Sequence, residues 1–180
     1  MIIALLYTVI IFLVSGIVYF AFQRPCYSHL KHTISELGEE GAVNSRAANL
    51  GLFLPVGLLL ILFGMLSSGN ANTKALSFCL GAGYLISALF PCDPGSPLGG
   101  STNQTVHNIG GFIEYAGGIY FLNRNRHLLL TTNFIEPLWI IGFLVVCIIL
   151  TSLPGFKLRG LSQRILEAIL FGQLLWLSYQ

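Results

Sequence analysis

Ionisable side chains are scarce in this chain, and several of them lie inside or beside long apolar runs. His107 and Glu114 are seven residues apart in one such run, so they share a helical face about 10 Å apart along its axis. Arg164 opens another run, and Asp93 closes a third. A charge at the centre of a bilayer costs ~2.5–3.5 kcal/mol, so such residues normally face a polar interior. Carboxylate, imidazole and guanidinium groups together suit acid–base chemistry or the binding of a polar ligand.

The composition is typical of a membrane protein. Of the 180 residues, 54% are hydrophobic and 9% are charged, and the mean hydropathy is +0.77; soluble domains carry about 25% charged residues. A spanning helix needs about 20 residues. The pattern predicts an all-α polytopic membrane protein, a compact bundle of six transmembrane helices in one domain over 1–180. The helices are expected at 2–22, 46–67, 73–91, 107–122, 134–151 and 161–179.

With six spans, both chain termini lie at one end of the bundle, here called side A, and the opposite end is side B. Side B holds the connections 23–45, 92–106 and 152–160. Basic residues number three at side A and six at side B, which would place side B in the cytoplasm. A disulfide between Cys26 and Cys92 would instead make side B the oxidising face. Two unrelated thiols are the alternative, so the sequence leaves the orientation open.

We expect a polar site near one leaflet, at side B. His107 is the candidate acid or base, and Asp93 or Glu36 would orient it, so these three are the candidate catalytic residues. Arg164 or Arg46 would hold an anionic group. The expected ligand-binding side chains are Arg46, Asn49, Asn108, Glu114, Gln163 and Arg164.

Structural roles compete with these assignments. Asp93 precedes a Pro-Gly turn and is by default a turn or cap residue. Arg164 and Glu167 are three apart on one helix and could simply neutralise each other. The glycines of the fourth helix suit close helix packing. A structural cluster should be mutually saturated by hydrogen bonds, whereas a functional one should have a polar cavity running from side B to His107 and towards Glu114.

The first side-B connection is too polar to span a membrane, and we expect it to be partly ordered. Thr33 or Ser35 could cap a short helix, and Glu36 stands in capping-box spacing from Thr33.

A metal site is a minority hypothesis. His29 and His32 with His107 and Asp93 would offer the nitrogen and oxygen ligands that zinc accepts, but a His-x-x-His pair in a loop is a weak signal. We expect no cofactor, because the Gly-rich phosphate loop and the familiar catalytic motifs are missing from the sequence. We expect no nucleic-acid partner either, because the net charge is only +2 and no basic run occurs.

Segments 24–41, 89–118 and 160–176 resemble an uncharacterised prokaryotic integral membrane family, domain of unknown function 998. The most specific parts are ISELG at 34–38, FPCD at 90–93, His107-Asn108 and Gln163-Arg164. The resemblance spans nearly the whole chain. It implies a compact bundle of six or seven helices, here six, in a multi-pass protein of the prokaryotic plasma (inner) membrane. It implies no particular activity.

Three functions are compatible with these features. The first is a protein that binds, hydrolyses or remodels a lipid or other amphiphilic small molecule, with membrane lipids as its partners. The second is a noncatalytic assembly or scaffold protein whose polar cluster only locks the bundle. The third is a small proton-coupled transporter with Glu114 and Glu167 as its relay, although transporters usually show repeated halves. We favour the first narrowly, and the sequence indicates neither the reaction nor the oligomeric state.

Overall fold

A computed structural model of the protein describes residues 2–68, 70–125 and 137–180, and the regular elements within them are all helical. The six long helices are α1 Ile2–Gln23, α2 Ser45–Leu66, α3 Ala71–Leu89, α4 Thr102–Arg124, α5 Pro137–Ser152 and α6 Arg159–Leu177. A short 3-10 turn, Ser35–Gly38, lies between α1 and α2. The predicted all-α class is confirmed. The expected start of the fifth helix at 134 lies outside the described residues.

Two helices, α1 and α2, are long and apolar enough to cross a membrane. By the same test α5 is apolar but shorter, and α3, α4 and α6 carry more polar residues. Large apolar side chains cover the outside of the described bundle; Phe22, Phe112 and Trp139 are 88%, 73% and 75% exposed. Polar side chains from the middle of α3, α4 and α6, among them Ser77, Glu114 and Glu167, are buried inside the bundle.

The termini lie at the same end of the bundle, as predicted for side A. The hydroxyl groups of Tyr7, near the start of α1, and Tyr179, just after α6, are 3.0 Å apart. Asn72 at the start of α3 donates a 3.3 Å hydrogen bond to Asn125 at the end of α4, which ties together the neighbouring connections. All three side-B connections consequently meet at the opposite end.

The start of α4 and the interior of α2 differ from the predicted regular helices for local reasons. Helix α4 begins five residues early, at Thr102, because the Ser101 hydroxyl caps it by accepting the Gln104 N–H at 3.1 Å. His107 therefore lies in the second turn of α4 and not at its rim. Helix α2 widens into a π turn at Asn49–Phe53, just before Pro55, which has no N–H to continue the regular pattern.

Glycines let α4 approach its neighbours closely. A Cβ on Gly110 would lie 2.7 Å from the Ile86 side chain on α3, and one on Gly118 would lie 2.8 Å from Leu170 on α6. The packing role predicted for these glycines is confirmed. Gly111 is different, because a Cβ placed there would meet no heavy atom within 4 Å. Gly111 lines the cavity described below.

Candidate functional site

Arg159, the first residue of α6, fastens the side-B connections together. Its guanidinium group donates to the carbonyl oxygens of Gly95 at 2.6 Å, Ser96 at 2.9 Å and Thr151 at 3.2 Å. It also forms an ion pair with Glu36 at 3.6 Å, and both side chains are almost fully buried. Arg159 therefore stabilises three separate chain segments with one charge.

The first connection carries the predicted capping box. The Thr33 hydroxyl accepts the Glu36 N–H at 3.3 Å, and the Glu36 carboxylate accepts the Thr33 N–H at 3.0 Å. This reciprocal pair starts the Ser35–Gly38 turn. Glu36 is thus occupied by Thr33 and Arg159, and its position is structural.

Arg164, one turn into α6, holds the same connection from below. It donates to the His32 carbonyl at 3.0 Å and to the Tyr27 hydroxyl at 2.8 Å, and one of its nitrogens lies 3.0 Å from His29 Nδ1. Burial raises the pKa of Tyr27, which keeps its hydroxyl neutral beside the guanidinium group. The local pair predicted between Arg164 and Glu167 is not formed as an ion pair.

Asp93 fulfils its default role as a loop and cap residue. Its carboxylate accepts the Ser101 N–H at 2.7 Å and the Ser101 hydroxyl at 2.6 Å, and these bonds lower the pKa of Asp93. The Asp93 N–H in turn donates to Gln104 at 2.7 Å. Nearby, Glu39 pairs with Arg24 and accepts the backbone N–H of the Asp93 loop at Gly95.

The cysteines do not form the bridge considered above. All four are free; Cys26 is exposed, whereas Cys92 is buried with its thiol 3.6 Å from the Ser35 carbonyl. Burial raises the pKa of Cys92 to about 12. The disulfide argument for an oxidising side B therefore no longer applies.

The three side-B connections, 24–44, 90–101 and 153–158, together form what we call the cap. A cavity of about 350 Å³ lies beneath this cap, between α4, α5 and α6. Its polar lining includes His107, Asn108, Glu114, Tyr115, Arg159 and Gln163, and its apolar lining includes Leu98, Phe112, Ala116 and Ile148. Because Phe112 lines the cavity and is 73% exposed, the cavity reaches the outer surface of the bundle.

His107 lines this cavity, and its Nε2 has no hydrogen-bond partner among the described residues. Its Nδ1 lies 3.0 Å from the Phe90 carbonyl oxygen, which can only accept, so Nδ1 carries the hydrogen. In the neutral ring Nε2 is then an acceptor. The expectation that Asp93 or Glu36 orients His107 is wrong, because Phe90 does so.

A directional chain of hydrogen bonds runs from the cap to α6. The Ile34 N–H donates to Gln163 Oε1 at 2.5 Å, so the Gln163 amide donates to the Tyr115 hydroxyl at 2.8 Å. Tyr115 in turn donates to Glu167 Oε1 at 2.9 Å. Glu167 Oε1 is therefore the acceptor at the end of the chain.

Next to this chain lie three buried oxygen atoms without a hydrogen-bond partner in the described part of the protein: Glu114 Oε1, Glu167 Oε2 and the Tyr84 hydroxyl. The two carboxyl groups are close enough to interact directly. They line a second chamber of about 20 Å³ with Tyr84, which is enough for one water molecule. Glu114 lines both the chamber and the larger cavity.

The four side-B residues Glu36, Asp93, His107 and Arg164 each have other hydrogen-bond partners. Within residues 2–68, 70–125 and 137–180, no hydrogen bond or ion pair joins any two of Glu36, Asp93, His107 and Arg164. Glu36, Asp93 and Arg164 form hydrogen bonds within the cap. Of the four, only His107 lines the cavity.

The predicted ligand-binding residues divide in the same way. Asn108, Glu114 and Gln163 line the cavity. Arg46 is exposed and lines no cavity, and Asn49 is buried because its amide donates to the Gly38 carbonyl at 2.8 Å.

The metal hypothesis finds no support in the described chain, where no group of three or more His, Cys, Asp or Glu residues could hold a metal ion. The His32 ring instead accepts the Ser28 N–H at 2.8 Å, and His29 lies against Arg164.

Three polar residues of the site were not predicted as members, namely Tyr84, Tyr115 and Arg159, and Glu167 was named only as a relay in the transporter alternative. Glu167 had a usable signal, since it lies four residues after Gln163 and so shares its helical face. Arg159 lay in a segment expected to be a loop, and a tyrosine within an apolar helix gives no sign of whether its hydroxyl faces a partner.

The fold and the site define a helical bundle with an internal polar cavity closed at one end by a bonded cap. The family described as "Protein of unknown function (DUF998)" matches residues 6–179, so the chain belongs to that family. No curated protein and no solved structure was found to match it.

Proposed function

We propose that this chain is a multi-pass membrane protein with six spans, and that its cavity binds the polar end of an amphiphile. The observation that carries the proposal is a 350 Å³ cavity that is polar at the cap and apolar beside α4 and α5. Ligand sites typically combine an apolar lining with a few convergent polar groups in this way.

The six-span arrangement is supported by helix lengths and by where charges lie. Helices α3 and α4 have 19 and 23 residues, which at 1.5 Å per residue is close to the ~30 Å of a bilayer core. His107 and Glu114 on α4 are buried, and the exposed residues in the middle of the two helices are apolar, whereas the exposed polar residues lie at the ends of α4. A bilayer tolerates ionisable residues in this inward position.

A lateral entrance favours an amphiphile over a water-soluble ligand. Phe112 and Ala116 on α4 and Ile148 on α5 line the cavity, and Phe112 is largely exposed on the outside of the bundle. An acyl chain there would remain among lipids while the headgroup reached Asn108 and His107. The ligand would thus keep both its ends in matching solvent.

His107 gives the site acid–base capacity. Its Nε2 accepts a hydrogen bond or a proton from a ligand, while the Phe90 carbonyl fixes the ring from the other side. This geometry supports hydrolysis or remodelling of the bound amphiphile as the enzymatic form of the proposal. The scaffold alternative predicts saturated groups without a void, and the cavity and unpartnered oxygens argue against it.

Binding of single-chain lysophospholipids to the purified protein tests the proposal. We expect saturable binding of a fluorescent lysophosphatidylglycerol or lysophosphatidylethanolamine. Gly111→Leu should abolish binding, because it fills the cavity at a position where a new side chain meets no atom within 4 Å of its Cβ.

Gly172→Leu is the matched control, since this exposed glycine on α6 also has open space but does not line the cavity. Equal binding by the wild type and Gly111→Leu would contradict the proposal. His107→Asn separates the two roles of the imidazole, since its amide can replace Nδ1 but not Nε2. It should retain the fold and weaken or abolish any turnover.

A further inference from the structure

Beyond the cavity, at its inner end, two carboxyl groups face each other without a counter-ion. Glu114 and Glu167 are 4% and 7% exposed, and neither has an ion-pair partner in the part of the chain that the structure describes. Removing two neighbouring carboxylates from water without compensation is far more costly than neutralising one of them. Carboxyl pairs of this kind hold a proton between them.

The surrounding groups determine which member carries the proton. From α4, Tyr115 donates to Glu167 Oε1 at 2.9 Å, and from α6 the Arg164 charge acts on Glu167 at longer range. Both favour the ionised form of Glu167. From α3, Tyr84 faces both carboxyl groups, and the Cys79 thiol lies near Glu114, but neither supplies a positive charge. Glu114, which lacks these two contacts, is the member better suited to carry the proton.

A second observation indicates that the pair is more than a packing detail. The Tyr84 hydroxyl is buried and has no hydrogen-bond partner within the described residues, and Tyr84 lines the same 20 Å³ chamber as the two carboxyl groups. Donors and acceptors around a water-sized space suit a bound water that relays a proton. Gly83 makes the arrangement possible, because a side chain there would collide with Glu114.

We propose that Glu114 and Glu167 form a binding site for one exchangeable proton, with Glu114 as the member that exchanges it with the cavity. In the exchange the Glu114 O–H bond breaks, its electron pair stays on the carboxylate, and the proton passes to cavity water. The reverse step restores the acid. Glu114 suits this role because it lines both the chamber and the open cavity.

Infrared spectroscopy of the full-length protein in detergent tests this site directly. At neutral pH we expect the carbonyl stretch of a protonated carboxylic acid, shifted when the protein is transferred to D₂O. Glu114→Gln and Glu167→Gln should each change its position or intensity, and the double variant should lose it. Glu40→Gln, an exposed glutamate, is the matched control and should leave the band unchanged.

Absence of the band in the wild type, persistence in a double variant with wild-type helical circular dichroism, or failure to shift in D₂O would each overturn the proposal. A sodium-dependent rise in melting temperature without an acid band would assign the chamber to a metal cation and also overturn it. The route is tested separately. Gly111→Leu should slow the D₂O shift relative to Gly172→Leu, and equal rates would exclude exchange through the cavity. None of these readouts depends on amphiphile binding.

Discussion

The side-B cap and the cavity beneath it both contain ionisable side chains but use them in opposite ways. In the cap, Arg159 and Asp93 are occupied by backbone groups and short side chains. In the cavity, His107 Nε2 is left as an acceptor, and Glu114 has an oxygen with no partner in the described chain. Groups that are saturated hold the fold, whereas groups that are unsatisfied beside open space are available to a ligand or a proton.

This difference also explains why charge alone is a poor guide to function in the bundle. Arg164 and Glu36 are the kind of residue that marks a membrane site, but both tie down the connection between α1 and α2. The stability of the cap and the ligand binding proposed for the cavity should therefore respond to different substitutions.

The largest effect should come from removing the central residue of the cap. Arg159→Ala leaves Glu36 buried without its partner and three carbonyl oxygens without a donor. Breaking a buried pair costs about 3–5 kcal/mol, so we expect a large fall in melting temperature. Thermal unfolding in detergent measures it. A variant as stable as the wild type would remove the distinction between cap and cavity.

A smaller loss is expected where the backbone makes room for Glu114. Gly83→Ala puts a Cβ against the Glu114 side chain, and such overpacking typically costs about 1–3 kcal/mol. Gly51→Ala on α2 is the control, because a Cβ there meets nothing within 4 Å. Chemical unfolding of the two variants measures the difference, and equal stability would mean that Glu114 can move aside freely.

Loss of one bond in the chain that ends at Glu167 should be milder. Tyr115→Phe removes the hydroxyl between Gln163 and Glu167, which should cost about 1 kcal/mol. It should also raise the proportion of protonated carboxyl in the infrared spectrum, since Glu167 loses its donor. Tyr120→Phe alters a 56% exposed tyrosine on the same helix and serves as the control. An unchanged acid band would contradict the direction of the chain.

Thiol labelling requires no substitution and should distinguish an exposed cysteine from one buried in the cap. Only a thiolate reacts with maleimides, so Cys92, whose pKa is raised to about 12 by burial, should resist labelling at pH 7 until the protein unfolds. Exposed Cys26 should react at once. In intact cells, an impermeant maleimide on Cys26 would also report the side that side B faces. Rapid labelling of Cys92 in the folded protein would show that the cap opens.

The overall architecture follows from the sequence more readily than the site does. Long apolar runs and the Thr33–Glu36 capping box are local patterns, and both were recognisable. The seven-residue spacing of His107 and Glu114 was also informative, because it placed them on one helical face, and both line the cavity. The shift of His107 from the rim to the second turn depended only on the Ser101 cap.

Partner choice could not be derived in the same way. Arg159 and Arg164 are five residues apart near the side-B end of α6, and only the folded connections decide that Arg159 meets Glu36. The orientation of His107 likewise depends on a backbone carbonyl, which any residue at position 90 would supply. The identity of a residue does not reveal whether its backbone carbonyl oxygen accepts such a hydrogen bond.

The most direct test of the amphiphile site is a density map of the protein in a lipid nanodisc at a resolution that shows ordered water. We predict elongated density that enters between α4 and α5 past Phe112 and ends in a polar group at hydrogen-bonding distance from His107 Nε2 or Asn108. A cavity filled only by isolated waters, with all lipid density outside the bundle, would contradict the account.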